Sequence, residues 1–273
     1  MNETLKKTFP LTGAINLSVR VGRGSVVVET AEDLATAPVC LSPSPGAEDL
    51  ADQFTVEMVG PTLTVAGPPE RRQAGIVSGW RERQRSRDGV AVTVTVPTGT
   101  ALKIETSGAP ITVTGRCGGA DVATGSGAIV LGHVDGDVLL SYGSAVSRVD
   151  RVSGSATVRC GSGEAVFGII EGSLQRASGS GPLDVGEVHG TVRSRSGSGS
   201  SRLAAVHGDV DLASGSGAMS IGLPAGTTAH VNATTGSGRV RSDLPIEEAP
   251  ATKNPITVRA RTGSGDIHLF RAA

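Results

Sequence analysis

From about residue 98 onward, apolar residues alternate with polar ones in short segments, and the whole pattern returns every 18 residues. The beat is marked by a Gly-Ser signpost at Gly125, Gly143, Gly161, Gly179, Gly197 and Gly215. With each of these glycines as position one, position seven reads Val113, Leu131, Val149, Phe167, Val185, Leu203 and Ile221, always apolar. Position six, its neighbour, reads Thr112, Val130, Arg148, Val166, Asp184, Arg202 and Ser220. An apolar column beside a mixed one is the period-two signature of a strand with one buried face. Position five, from Ile111 to Met219, shares that face.

A second segment behaves alike. Position ten gives Val134, Val152, Ile170, Val188 and Val206, and position fourteen gives Ala120, Val138, Ala156, Leu174, Val192 and Val210. Position sixteen is apolar except at Arg176 and Ser194, where the column should narrow or open. A second glycine stands eleven residues after each signpost, from Gly136 to Gly226. Helices are excluded, because the spacing is two and a glycine every nine or so residues would cost about 1 kcal/mol each in a helix interior. A fixed period with two unlike corners favours like positions stacking on like over chains of hairpins. The predicted fold is therefore all-β: a single-stranded parallel β-helix, or β-solenoid, with 18-residue coils.

The predicted organisation is a single solenoid domain over residues 1–273. Residues 1–97 form a β-rich N-terminal cap and first coils with an Arg-rich loop at 68–88. Residues 98–235 are the regular coils, and 236–273 are irregular last coils with a loop at 243–255. There the signposts drift to Gly236 and Gly263. Caps are expected because open solenoid ends invite aggregation.

Composition narrows the function classes. Net charge is −1, so no global field favours nucleic acid, which is an unlikely partner. Aromatics are 2% of the chain, too few for a sugar-stacking platform. Cys40, Cys117 and Cys160 are far apart and cannot all pair, so neither a disulfide framework nor a zinc site is indicated. The polar start and the lack of any long apolar run predict a cytoplasmic protein with no transmembrane segment, a surface or extracellular place staying open if a leader was removed.

The signposts, Val96-Pro97-Thr98-Gly99-Thr100, the stretch Gly238-Arg239-Val240-Arg241-Ser242-Asp243-Leu244 and the later Val258-Arg259-Ala260-Arg261-Thr262-Gly263-Ser264-Gly265-Asp266-Ile267 together resemble the bacterial family DUF4097. Its members are described as adhesin candidates. The resemblance covers nearly the whole chain and implies a right-handed β-solenoid that binds a protein or surface, with no catalytic residues to carry over.

Candidate chemistry is sparse. Arg71, Arg72, Trp80, Arg81, Arg83, Arg85 and Arg87 form a partner-binding loop candidate, since Arg beside an aromatic can grip phosphates or stack on bases. The plainer reading is a solvated insertion diluted by Glu70, Glu82 and Asp88. At position eleven, Glu171, His189 and His207 would stack as a ladder of metal-capable donors, but such a ladder points outward in parallel rather than converging. No metal or other cofactor is therefore expected. Position thirteen carries aspartate only at Asp137 and Asp209, too intermittent for a calcium ladder. Asp184, Glu187, Asp209 and Asp211 could supply carboxylates, yet nothing pairs an acid with a base or a nucleophile. The chain thus reads as a non-enzymatic interaction module presenting side-chain ladders and loops to a protein or cell-surface partner. Solenoid ends or edges offer a route to homo-oligomers. Two other readings stay open: a regulator of an envelope-stress pathway acting through the Arg-rich loop, and a carbohydrate-active β-helix enzyme.

Overall fold

A computed structural model describes residues 4–45, 47–68, 89–244 and 255–272. The chain divides into two compact units, Met1–Gly132 and His133–Ala273.

In the second unit, each coil contributes one strand to each of two parallel sheets. The first sheet contains Ser147–Val152, Ala165–Ile170, Leu183–Val188, Ser201–Val206 and Met219–Leu223; the second contains Val138–Tyr142, Ala156–Cys160, Leu174–Ser178, Val192–Ser196 and Val210–Ser214. Register partners lie 18 residues apart throughout these strands: Phe167 pairs with Val185, Val185 with Leu203 and Leu174 with Val192. The inward columns are the predicted ones, with Val149, Phe167, Val185, Leu203 and Ile221 at 0–2% exposure. Stacked β-branched and aliphatic side chains fill this interior, and each buried one is worth about 1.5–3 kcal/mol.

The glycines serve a different need from the one a turn usually imposes. None of the signpost glycines from Gly161 to Gly217 has a positive φ. What each requires is space: a Cβ on Gly199 would stand 2.0 Å from the carbonyl oxygen of Gly181. The corners stack so closely that backbone bonds run from coil to coil, Gly179 N–H to Gly161 O at 2.8 Å and Gly197 N–H to Gly179 O at 2.7 Å.

Two hydroxyl or carboxylate columns support the corners. At position eighteen, the oxygens of Ser178 and Ser214 accept the N–H groups of Gly181 and Gly217 at 3.2 and 2.8 Å, closing the turn locally. At position thirteen, Asp137 accepts the N–H of Ser155 at 2.8 Å, Ser155 accepts that of Ser173 at 3.2 Å, and Ser173 accepts that of Thr191 at 3.2 Å. The intermittent aspartates of that column therefore tie one coil to the next.

The last coils invert their order. Ile256–Thr262 lies between Val210–Ser214 and Ala229–Thr235, and Ile267–Arg271 lies between Met219–Leu223 and Val240–Ser242. Gly263, rather than Gly236, stacks on Gly215, with an N–H to carbonyl distance of 2.9 Å. The physical reason is polarity. Val258, Ala260, Ile267 and Leu269 are 0–1% exposed, whereas Ala229–Thr235 and Val240–Ser242 are largely exposed edge strands. The apolar coil goes inside and the polar one goes to the rim.

The first unit uses the same device. Asn16–Val21 pairs in parallel with both Thr62–Ala66 and Ala101–Thr106, and Gly24–Ala31 pairs with both Val90–Pro97 and Ile111–Cys117. Its rim is antiparallel: Leu5–Pro10 on Thr36–Pro43, the latter on Val90–Pro97, and Thr55–Val59 on Thr62–Ala66. A helical turn, Glu48–Ala51, and Phe54 cover this end, the ring of Phe54 lying against Gly67.

Candidate functional site

Outward positions vary more than inward ones, and two features stand out in the second unit. The first is a charged cluster along the turn that follows the first sheet. Positions nine and eleven share a face, so Glu187 from position nine joins the ladder of Glu171, His189 and His207. The two imidazoles are stacked, with centroids 4.6 Å apart and ring planes 17° from parallel. The Nε2 atoms of His207 and His189 both approach one carboxylate oxygen of Glu187, at 2.9 and 3.2 Å. Glu171 lies 3.8 Å from His189 Nε2 and is itself bound by the guanidinium of Arg151. The donors of Glu187, His189 and His207 all fall within 4.8 Å of one another. The imidazoles of the position-eleven ladder stack nearly in parallel, and the donors come together through a residue outside that ladder, Glu187, reached by a two-residue step along the strand from His189. The pattern Glu187-Val188-His189 with His207 one coil later was the available signal.

The second feature is the outer face of the second sheet. In register along it run Thr157, Gln175, Arg193, Asp211, Arg259 and Asn232, and beside them Arg159, Ala177, Arg195, Ala213, Arg261 and Thr234. All five arginines are exposed. Asp211 stands between Arg193 and Arg259 and is bound by Arg195 at 2.7 Å. Hydrogen bonding from Arg195 holds its carboxyl below the usual aspartate range, with Arg261 and Arg259 adding to the effect. One carboxylate among five guanidiniums leaves an excess of positive charge on this face. The sequence pattern did not single these arginines out, because their alignment depends on coil order, and Arg259 and Arg261 reach the stack by the inverted insertion.

Among the described residues, one charged side chain is buried in the interior. Arg176, at position sixteen, is 2% exposed. Its Nη2 donates to the carbonyl oxygens of Gly181 and Pro182, the latter at 3.3 Å, and lies 3.9 Å from Cys160 Sγ. Its Nε and Nη1, and Oγ of its register partner Ser194, have no hydrogen-bond partner among the described residues. Beside it, burial pushes the Tyr142 hydroxyl well above its usual range. That hydroxyl bonds Ser147 and donates to the Glu164 carbonyl at 3.0 Å. Among the described residues, none of Cys40, Cys117 and Cys160 forms a disulfide. Arg71, Arg72, Trp80, Arg81, Arg83, Arg85 and Arg87 lie outside the described residues.

Among the described residues, no helix is long and apolar enough to cross a membrane. No curated protein matches the chain. Among solved structures, an adhesin candidate from Parabacteroides merdae is similar at 13% identity, covering 98% of this chain and 96% of that one, with a TM-score of 0.58. That similarity shows a shared fold. A lipid-binding protein candidate from Parabacteroides distasonis aligns over 97% of this chain and 96% of its own, at 16% identity and a TM-score of 0.45. The family described as Toastrack DUF4097 matches over residues 46–272, most of the sequence, and the chain therefore belongs to that family.

Proposed function

We propose that this chain is a non-enzymatic, adhesin-like interaction module that docks on a surface polymer bearing closely spaced phosphate or carboxylate groups. The observation that carries this reading is the arginine-rich outer face of the second sheet in the second unit. Arg159, Arg193, Arg195, Arg259 and Arg261 are mounted on paired strands about 4.8 Å apart, so their positions are fixed by the stack. Guanidinium groups bind phosphate and carboxylate through planar, two-pronged hydrogen bonds. A rigid array of them suits a linear anionic polymer better than a single small ligand.

The corresponding face of the first unit supports this assignment by contrast. There Arg20 bonds Glu105 at 2.9 Å, and Lys103 lies 3.7 Å from Glu105 and 3.9 Å from Asp121. Hydrogen bonding from Arg20 lowers the Glu105 carboxyl. Among the described residues, its charges are satisfied internally, and that face carries no comparable excess.

Immobilised long-chain polyphosphate, with uncharged dextran as the reference, tests the reading. The chain should bind polyphosphate and not dextran, and replacing Arg193, Arg195, Arg259 and Arg261 by Gln should remove most of the binding while the fold is retained. Equal binding by the substituted protein would refute the assignment of this face.

A further inference from the structure

The structure assigns Glu187, His189 and His207 as a binding site for a divalent transition metal of the zinc class, on a different face from the arginine ladder and independent of it. Zinc bonds to imidazole nitrogen and carboxylate oxygen are about 2.0–2.2 Å long. Two such donors on one ion therefore stand about 2.9 Å apart at a right angle and about 3.4 Å apart at a tetrahedral angle. The separations from the Glu187 oxygen, 2.9 Å to His207 Nε2 and 3.2 Å to His189 Nε2, already fall in that interval. The remaining adjustment is between the two imidazoles, stacked 4.6 Å apart. Rotation about their side-chain torsions would close it, and at 42% and 38% exposure the two side chains have solvent, not packed core, to turn through.

The donor set chooses the ion. Two imidazoles and one carboxylate favour zinc, nickel or copper; calcium and magnesium need more oxygen donors than this turn supplies. Three protein donors leave a position open to water or to Glu171, whose Oε2 lies 3.8 Å from His189 Nε2. Arg151 binds the other oxygen of Glu171 and holds it at the edge of the group. Because His189 and Glu187 come from one coil and His207 from the next, a bound ion would clamp two coils together.

Tag-free protein of residues 1–273 titrated with Zn²⁺ at pH 7.5, and with Co²⁺ followed by visible absorption, tests the assignment. One equivalent should bind. His189→Asn, His207→Asn and Glu187→Gln should each weaken binding by more than about a hundredfold, beyond the roughly 10–100-fold loss from removing a mere supporting group. His230→Asn, outside the cluster, should leave the isotherm unchanged. The affected side chains are solvent-facing, so circular dichroism should show the fold intact in every variant. A zinc isotherm identical in wild type and the double variant His189→Asn/His207→Asn would overturn the site, as would failure of the wild type to bind either ion.

Discussion

Inward and outward residues of the same strands obey different rules. Leu203 is fully buried between Val185 and Ile221, while Arg202, one residue earlier, faces solvent. The inward columns barely change character from coil to coil, because each side chain must fit the one above and below it in a close-packed interior. The outward columns change freely, from Asp184 to Arg202 to Ser220 at position six alone. Stability therefore resides in the first set, and recognition is free to develop in the second.

The largest test of that division is a pair of alanine substitutions at neighbouring residues. Leu203→Ala should cost about 3 kcal/mol in chemical unfolding, through lost burial and the cavity left behind. Arg202→Ala should change stability by less than about 0.5 kcal/mol. Similar losses at both positions would break the comparison.

Arg176 is where the division is violated, and it sharpens the rule. A charge sits in an aliphatic column with two of its nitrogens unpartnered among the described residues. Even buried charges that are paired can often be replaced by apolar side chains of similar volume with no loss or a gain of about 1–4 kcal/mol. Arg176→Met should accordingly raise the unfolding free energy by about 2 kcal/mol. A loss of stability would mean that the bonds of Nη2 to the Gly181 and Pro182 carbonyls outweigh the burial cost.

The smallest effect belongs to the outer face. Asp211 has a lowered pKa because Arg195 bonds its charged form. A depressed carboxyl contributes stability that is present above the ordinary aspartate value of 3.8 and is lost as pH falls through the folded value. The pair is half exposed, so Asp211→Asn should cost under about 1 kcal/mol at pH 7 and nothing once the carboxyl is protonated. An undiminished difference at pH 2 would assign the effect to packing.

Much of the architecture was legible because stacking forces periodicity. Position seven could be read from Val113 to Ile221 without coordinates, and the register pairing of Val185 with Leu203 follows from the 18-residue repeat. The order of the last coils was not legible. Gly236 precedes Gly263 in the chain, but the stack places Gly263 on Gly215, since sequence order says nothing about which coil buries both faces. The signal that was available lay in polarity, with Val258, Ala260, Ile267 and Leu269 more apolar than the strands on the rim.

The candidate sites were legible only in part for the same reason. His189 and His207 could be aligned from the repeat, but the third donor came from position nine, two residues before His189 on the same face, outside the column that was read. Arg193 and Arg195 meet Arg259 and Arg261 across Asp211 and Ala213 only because the final coil is inserted out of order. The hydroxyls of Ser178 and Ser214 at position eighteen close the glycine corners, a role the repeat alone does not announce.

The salt dependence of polyphosphate binding tests most directly whether outward charge acts independently of the inward columns. Affinity should fall linearly on a log–log plot as salt displaces bound counterions, with the slope set by the number of contacts. For the protein with Arg193, Arg195, Arg259 and Arg261 replaced by Gln, the account predicts a much shallower slope, Arg159 alone remaining of the five, and an unfolding midpoint matching wild type. An unchanged slope, or a slope lost only because the substituted protein unfolds, would contradict it.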